Sequence, residues 1–219
     1  MGRFLAKFLY GSQNYNLDTP ESDKDWKYVE LPSFKELFED KKLGRQLNEN
    51  EVVWDVRQFY KQLMKANSNA LELLFSKEVV WYDLAFRNLC ERVKQHYVDS
   101  LVRANWKNFF AATKGRAYES LRPGATPKSV SRYLYFYLFL DGVAQRNGEM
   151  SEESWRNDFT ELPRFVRLSG FVNPSAFLDM VDWDLLRTVT EEEWDKEHVL
   201  RMKEEFERFF QMALTYGGC

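Results

Sequence analysis

The chain has 219 residues, enough for one sizeable domain or two small ones. Its 31 Lys+Arg against 34 Asp+Glu give a net charge of -3, which argues against a protein that coats nucleic acid nonspecifically, and an aromatic fraction of 16% argues against disorder. Two cysteines, Cys90 and Cys219, build neither a disulfide framework nor a zinc site, which predicts a cytoplasmic protein, and no apolar stretch approaches the length of a membrane span.

The first part of the chain, up to about residue 80, alternates predicted strands and helices. Strands are predicted over residues 4–10, 23–31 and 50–54, with a helical turn and a short strand over 69–81. A short amphipathic helix follows Ser33, its expected N-cap, and a longer one follows Asp55. Strands separated by helices predict an α+β fold with a small mixed β-sheet.

The second part of the chain is predicted to be mainly helical. Residues 84–112 contain long stretches of helix formers without Gly or Pro, and "RPGATP" at 122–127 is the clearest break. A strongly apolar helix then runs to about Asn147, and its aromatic segment is interpreted as core rather than as a base-stacking platform. The segment 161–175, which contains two prolines and a glycine, is predicted to be irregular.

The last predicted helix has a clean apolar face, made by Val199, Met202, Phe206, Phe209, Phe210 and Ala213. We therefore expect two regions, a mixed-sheet core over residues 1–80 and a mainly helical region over 81–219.

The stretch "YGSQNYNLDTPESDKDW", residues 10–26, carries the most specific chemistry in the sequence. A Gly-Ser turn after a buried strand leaves backbone N–H groups free to hold phosphate oxygens, and the Ser12 hydroxyl adds a donor. Asp23 and Asp25 face the same side if this segment is extended, and two like charges repel unless a cation lies between them. The pair is therefore predicted to hold Mg²⁺ or Mn²⁺, which would bridge to phosphates.

A third carboxylate on an adjacent strand would complete a two-metal site for phosphoryl or nucleotidyl transfer. Glu51 and Asp55 are both candidates, because they share a face if the strand extends that far. Glu51 is favoured, because Asp55 has a competing role as a helix cap.

These motifs resemble a known superfamily. Gly-Ser, ten residues and then "DKDW" is similar to the G-S…D-x-D signature of the DNA polymerase β-like nucleotidyltransferases. The whole stretch most resembles the predicted nucleotidyltransferases grouped with RNA repair genes, and "VRQFYKQLMKANSNALELLFS" at 56–76 resembles a helix of the same group. The resemblance covers about residues 4–80, and "TPKSVSRYL" at 126–134 is similar to a basic helix in the group's C-terminal half.

The resemblance implies a nucleotidyltransferase that uses Mg²⁺ or Mn²⁺ to transfer NMP from an NTP, such as ATP, to a hydroxyl. It implies catalytic and metal-binding roles for Asp23, Asp25 and Glu51, and nucleotide-binding roles for Gly11, Ser12, Lys128 and Arg132. The acceptor it implies is an RNA end, including tRNA, and a protein hydroxyl or a small molecule is the main alternative.

The sequence departs from the group's pattern at three positions. Asn16 replaces a glycine, and asparagine tolerates left-handed backbone geometry better than most residues. Asn69 replaces a frequent proline, and Lys24 replaces an apolar residue between the aspartates. Lys24 either points away from the metal or bends in and substitutes for a cation. Glu72 matches a position of the group, although an ordinary surface glutamate of a helix explains it equally well.

Two other functions fit the same sequence. The chain could be a sensor that binds a nucleotide or a partner without catalysis. Two features are consistent with this hypothesis: Lys24 between the aspartates and the open choice of the third carboxylate. A phosphohydrolase with the same metal ligands is a weaker option. Lys128 and Arg132, four residues apart on one helical face, are equally consistent with a solvated basic surface. Another basic cluster, made by Lys107, Lys114 and Arg116, is interpreted as mostly surface.

Overall fold

The computed structural model describes residues 2–39, 44–122, 126–156, 160–169, 181–186 and 188–216. The predicted α+β class is confirmed, because these ranges contain a five-stranded mixed sheet, and helices dominate the chain after the last strand. None of the helices within these ranges combines the length and the apolar character that a membrane span requires.

The sheet contains one long antiparallel pair and one parallel pair. The strands are β1 (Arg3–Tyr10), β2 (Asp25–Leu31), β3 (Arg45–Asn48), β4 (Glu51–Asp55) and β5 (Val79–Trp81), in the order β3-β4-β2-β1-β5. β1 and β2 are antiparallel, an arrangement that the ten residues between Ser12 and Asp23 allow, and Tyr10 lies opposite Asp25. β2 and β4 are parallel, and Trp26 lies opposite Glu51. Because side chains alternate along a strand, Tyr10 and Asp25 share one face of the sheet, and Trp26 and Glu51 share the other.

Three short helices accompany the strands, namely α1 (Phe34–Phe38), α2 (Val56–Leu63) and α3 (Ser68–Leu74). Ser33 caps α1 in a capping box with Glu36, and Asp55 caps α2 by accepting a hydrogen bond from the Arg57 amide at 2.7 Å. Both predicted N-caps are therefore confirmed. Strand β3 was not predicted, because its four mostly exposed residues give almost no hydrophobic pattern.

The second part of the chain is helical, as predicted. Its elements are α4 (Leu84–His96), α5 (Val98–Ala104), α6 (Trp106–Leu121), α7 (Pro127–Gln145), α8 (Glu152–Arg156), α9 (Glu161–Ser169), a 3₁₀ turn (Trp183–Leu185) and α10 (Asp195–Tyr216). The prediction of irregular structure from residue 161 is wrong as far as Ser169, because Pro163 lies in the first turn of α9, where its missing N–H costs no intrahelical bond. Residues 170–175 of that prediction, and Cys219, lie outside the described residues.

One hydrophobic core runs through both parts of the chain. Phe59 of α2 packs against Phe206 of α10, with ring centroids 6.4 Å apart. Tyr15, in the loop after β1, stacks on Tyr135 of α7 at 4.7 Å. The aromatic segment of α7 is therefore core, as interpreted from the sequence, and the loop that carries the Gly-Ser turn is anchored to the helical part.

Candidate functional site

The loop after β1 is a tight bend that depends on two residues with left-handed backbone. Gly11 has a φ of 80° and Asn16 a φ of 57°, so asparagine adopts the left-handed conformation expected at that position. The Asn14 amide donates to the Gly11 carbonyl at 3.0 Å, and the Leu17 amide donates to the Ser12 carbonyl at 2.9 Å. The bend therefore has its own backbone hydrogen bonds and does not depend on a ligand for its shape.

Asp25 lies directly against Gly11. Asp25 lies opposite Tyr10 in the antiparallel pair, so the Asp25 side chain lies beside Gly11, the residue after Tyr10. A Cβ atom at Gly11 would lie only 2.7 Å from Asp25 Oδ2. The glycine is therefore required for two independent reasons, its positive φ and the close approach of a carboxylate.

The basic residues of α7 lie near this carboxylate. Burial raises the pKa of Asp25, and the positive charges of Arg132 and Lys128 oppose that rise. Asp23 and Glu72 add smaller contributions that raise the pKa further. The structure thus places Gly11 against Asp25, and the charges of Lys128 and Arg132, more than 100 residues further along the chain, act on the Asp25 carboxylate.

Lys24 points away from the aspartates. Its ammonium forms an exposed ion pair with Glu78 at 2.8 Å and lies 5.7 Å from the centre of the Trp26 ring. Because Trp26 and Asp25 face opposite sides of the sheet, the Lys24 ammonium lies on the side away from Asp25. Lys24 therefore does not substitute for a cation in the site.

Glu51 does not join the two aspartates, and its predicted role as third carboxylate is corrected here. Its carboxylate accepts hydrogen bonds from Lys7 Nζ at 3.2 Å, Tyr28 Oη at 2.9 Å and Asn48 Nδ2 at 2.7 Å. The parallel register places Glu51 opposite Trp26, on the other face of the sheet from Asp25. The alternative, Asp55, is engaged as the cap of α2 and pairs with Arg57 at 2.5 Å.

Glu72 of α3 is a site residue whose surroundings the sequence did not reveal. It is 1% exposed, which corrects the surface interpretation. Its Oε1 accepts the Gly11 amide hydrogen at 2.7 Å, and its Oε2 accepts a hydrogen bond from Arg116 Nη2 at 2.7 Å. One signal was available in the sequence: in "SNALELL" leucines stand on both sides of this glutamate, a pattern typical of a helix with apolar residues all round and little exposed surface. The structure buries these leucines.

The contact with Glu72 changes the expected role of the Gly-Ser turn. The Gly11 amide was predicted to be a free donor for phosphate, and it is already used by the carboxylate of Glu72. Ser12 is 7% exposed, and its hydroxyl has no partner among the described residues, so Ser12 is the donor of this turn that is not already used by the protein.

Arg116 of α6 connects three parts of the site. It donates to Glu72 and to the Tyr15 hydroxyl, and its guanidinium lies 4.5 Å from the centre of the Phe136 ring. Burial lowers the pKa of Arg116, but Tyr15 and Glu72 outweigh that effect, so the group stays charged. Its buried Nη1 has no hydrogen-bond partner in the described ranges. The sequence interpretation of Arg116 as part of a surface cluster is therefore wrong.

Lys27 is a second buried cation on the Asp25 face of the sheet. Its ammonium lies 3.9 Å from the centre of the Trp54 ring and 4.5 Å from that of Tyr10. Burial lowers the pKa of Lys27 to about 8, and the nearby negative charge of Glu72 limits the shift. The two rings stabilise the charged form through their π faces.

A cavity of about 280 Å³ opens between the Gly-Ser turn and the helical part. It is lined by Tyr10, Gly11, Asn69, Arg116, Glu119, Ser120 and Arg132. Its walls therefore combine the turn after β1 with two arginines, Arg116 of α6 and Arg132 of α7, and with one carboxylate, that of Glu119. Cationic groups outnumber anionic ones in this lining, which favours an anionic ligand.

The donor set for a metal ion consists of two carboxylates. Within the described part of the chain, no group of three or more His, Cys, Asp or Glu side chains is arranged to hold a metal. The half-buried carboxylate of Asp25 has no hydrogen-bond partner among these residues, and Asp23 lies nearby in the loop before β2. Two such oxygen ligands fit Mg²⁺, which takes one or two protein carboxylates and completes its shell with water and phosphate oxygens.

The interpretation of the site rests on these residues and on the resemblance of their motif. Comparisons of the chain with protein-family models, with curated proteins and with solved structures find no match.

Proposed function

We propose that the chain is a metal-dependent nucleotidyltransferase that transfers NMP from an NTP to a hydroxyl acceptor. The observation that carries the proposal is the position of Asp25, which lies against Gly11 and near the cations Lys128 and Arg132 of α7. An acidic pair for a metal, a Gly-Ser turn and cations that act on the acidic pair are the parts that transfer of a phosphate-linked group needs. The cavity lined by Gly11 and Arg132 adjoins them.

Each described side chain then has a role. Asp23 and Asp25 would hold Mg²⁺ or Mn²⁺, which when bound supplies positive charge next to the phosphates. Ser12 would donate its hydroxyl hydrogen to a phosphate oxygen, and Lys128 and Arg132 would stabilise negative charge on the leaving pyrophosphate. The acceptor hydroxyl attacks the α-phosphorus, and the bond to the bridging oxygen of the β-phosphate breaks.

The acceptor we favour is an RNA end, because the motif most resembles nucleotidyltransferases grouped with RNA repair genes. The net charge of -3 suits a compact partner of tRNA size, held at a local cationic surface, better than a long RNA groove. A protein hydroxyl or a small molecule remains the alternative acceptor. A cytoplasmic location belongs to the same proposal.

The test is nucleotidyl transfer measured with each NTP labelled at the α-phosphate, in Mg²⁺ or Mn²⁺, with RNA, tRNA and protein acceptors. We expect label on an acceptor, a loss of at least 100-fold in Asp25→Asn and Asp23→Asn, and activity near wild type in Lys24→Ala, whose ammonium points away from the site. Unchanged transfer by Asp25→Asn would contradict the proposal.

A sensor that binds a nucleotide without transferring it is the second candidate, favoured by a specific observation. The carboxylate expected to complete the set, Glu51, faces the other side of the sheet. Tight calorimetric binding of an NTP, with no labelled acceptor and no phosphate released under any of the conditions above, would establish the sensor instead of the enzyme. Phosphate release without a labelled acceptor would indicate a phosphohydrolase.

A further inference from the structure

Two arginines, Arg132 of α7 and Arg167 of α9, come from helices that pack against each other beside the loop that leads to the aspartates. Arg167 of α9 donates from Nη2 to the hydroxyl of Ser22 at 3.2 Å, and α9 packs along α7, which carries Arg132. Burial lowers the pKa of Arg167, and the positive charge of Arg132 lowers it further, while Asp18 opposes the shift. Val130 and Leu134 flank Arg132 on α7 and pack with Val166 of α9. Val166 precedes Arg167, so the two arginines lie at adjoining positions of this helix pair, and their like charges oppose each other.

Both guanidinium groups also have buried N–H donors that nothing accepts. Nε of Arg132 and Nη1 of Arg167 are inaccessible to solvent and have no hydrogen-bond partner in the described ranges. The nearby aspartates Asp18 and Asp25 act on these groups through their charge, but neither accepts a hydrogen bond from these two atoms. A buried N–H group without an acceptor lowers the stability of the fold. Here two such groups belong to two side chains of like charge, whose repulsion adds to the cost.

An anion between the two arginines would remove both costs at once. It would neutralise the repulsion and, once the two side chains rotate towards it, accept hydrogen bonds from the two unpaired N–H groups. The planar guanidinium fork matches the oxygens of a phosphate group. Arg167 does not line the cavity described above, whereas Arg132 does. The pair therefore extends the cationic wall of the site past Arg132, towards Ser22.

We propose that Arg132 and Arg167 form an anion subsite that binds a phosphate group next to the candidate nucleotide pocket. The chemistry is that of a phosphate with at least two free oxygens. Such a phosphate has two sources, the terminal phosphates of the nucleotide or a phosphate at the end of the acceptor, and the assignment of either source rests on the proposed function. The subsite itself rests only on the two arginines and their free donors.

The experiment measures binding, not catalysis, so that its result is independent of whether nucleotidyl transfer occurs. One arm compares a short RNA carrying a 5′-phosphate with the same RNA carrying a 5′-hydroxyl. The other arm compares ATP with adenosine. Both arms are run with EDTA and with Mg²⁺, on the full chain and on Arg167→Gln. Arg164→Gln is the matched control, because Arg164 lies on the exposed face of the same helix.

We expect the phosphate-bearing ligand of one arm to bind at least tenfold more tightly than its partner. That preference should fall at least fivefold in Arg167→Gln and change less than twofold in Arg164→Gln. Loss of the preference in the RNA arm assigns the subsite to the acceptor, and loss in the ATP arm assigns it to the nucleotide.

A structural role of Arg167 is separated from a binding role by two further measurements. Pyrophosphate should raise the melting temperature of the wild type, and this rise should be smaller in Arg167→Gln and partly retained in Arg167→Lys, which keeps the charge but not the fork. The proposal is overturned if wild type and Arg167→Gln show the same preference in both arms and the same rise with pyrophosphate.

Discussion

Gly11 is the residue on which the geometry of the candidate site depends most directly. We expect Gly11→Ala to destabilise the fold by about 1–3 kcal/mol, because a side chain at positive φ is strained and the new Cβ would push Asp25 from its position. The proposed transfer should fall by at least tenfold. Urea unfolding and the labelled-NTP assay measure the two effects.

The matched control is Gly115→Ala in α6, where nothing lies within 4 Å of an added Cβ. This change should stabilise the protein by about 0.5–1 kcal/mol, because alanine is the better helix former. If Gly11→Ala behaves like Gly115→Ala in both assays, the close approach of Asp25 to the turn has no consequence, and our account of the turn is wrong.

The sequence predicted the residues of the turn better than it predicted the full set of site residues. Gly11, Ser12 and Asp25 form one local motif, and the fourteen-residue loop between two antiparallel strands brings its ends together. The prediction for Glu51 was wrong because the face on which it lies depends on the register between the parallel strands β2 and β4. A shift of one residue in that register moves every side chain to the opposite face of the sheet. Glu72 and Arg116 were misjudged because burial of a helix is a property of tertiary packing, which one sequence does not reveal.

Helix α7 is the element that carries the predicted cations, and its first turn is held by a capping box. The Ser129 amide donates to Thr126 Oγ1 at 3.2 Å, and the Thr126 amide donates to Ser129 Oγ at 2.8 Å. We expect Thr126→Ala to cost about 1 kcal/mol in unfolding free energy. Because Lys128 lies in that first turn, binding of an NTP should weaken several-fold, as measured by calorimetry.

Thr126→Ser retains the capping oxygen and is the control for this prediction. It should match the wild type within about 0.5 kcal/mol in stability and show unchanged NTP affinity. Equal stabilities of the alanine and serine variants would mean that the capping box does not hold the start of α7.

Elements with a strong local pattern were predicted well, and elements without one were not. The apolar face of α10 was correct, since Met202, Phe206 and Phe209 are buried. β3 has too few residues for a pattern, and the proline in α9 suggested a break although it lies where a helix tolerates it. β3 and α9 were missed because local sequence patterns do not show the tertiary contacts that determine them.

At the scale of the whole molecule, the buried ion pair of Arg103 and Asp195 joins α5 to the start of α10. The Asp195 carboxylate is fully buried and accepts from Arg103 Nε and Nη2, each at 2.9 Å, and from the Glu192 amide at 2.7 Å. Asp195→Asn removes the closest countercharge of Arg103 and leaves Glu192, at 3.9 Å, as a weaker partner, so it should cost up to about 3–5 kcal/mol of stability at pH 7.

This cost should depend on pH in a defined direction. Burial raises the pKa of Asp195, but the hydrogen bonds from Arg103 and Glu192 outweigh it, so the pKa lies below the ordinary value of 3.8. The ionised carboxylate therefore contributes its full stability above the unfolded-state pKa, and the contribution is lost as the pH falls through the lower, folded-state value. In urea unfolding, the advantage of the wild type over Asp195→Asn should be constant from pH 7 to 5 and shrink below about pH 4. An advantage that does not change with pH would contradict this account.

The contact between Glu72 and Gly11 has a consequence for how a ligand would enter. Glu72 Oε1 accepts a hydrogen bond at 2.7 Å from the Gly11 amide, which was expected to donate to a phosphate oxygen. The Glu72 carboxylate thus takes the position of one phosphate oxygen, and its other oxygen accepts a hydrogen bond from Arg116. A phosphate that binds at this turn must either displace Glu72 from the Gly11 amide or bind one residue further along the chain, at the hydroxyl of Ser12.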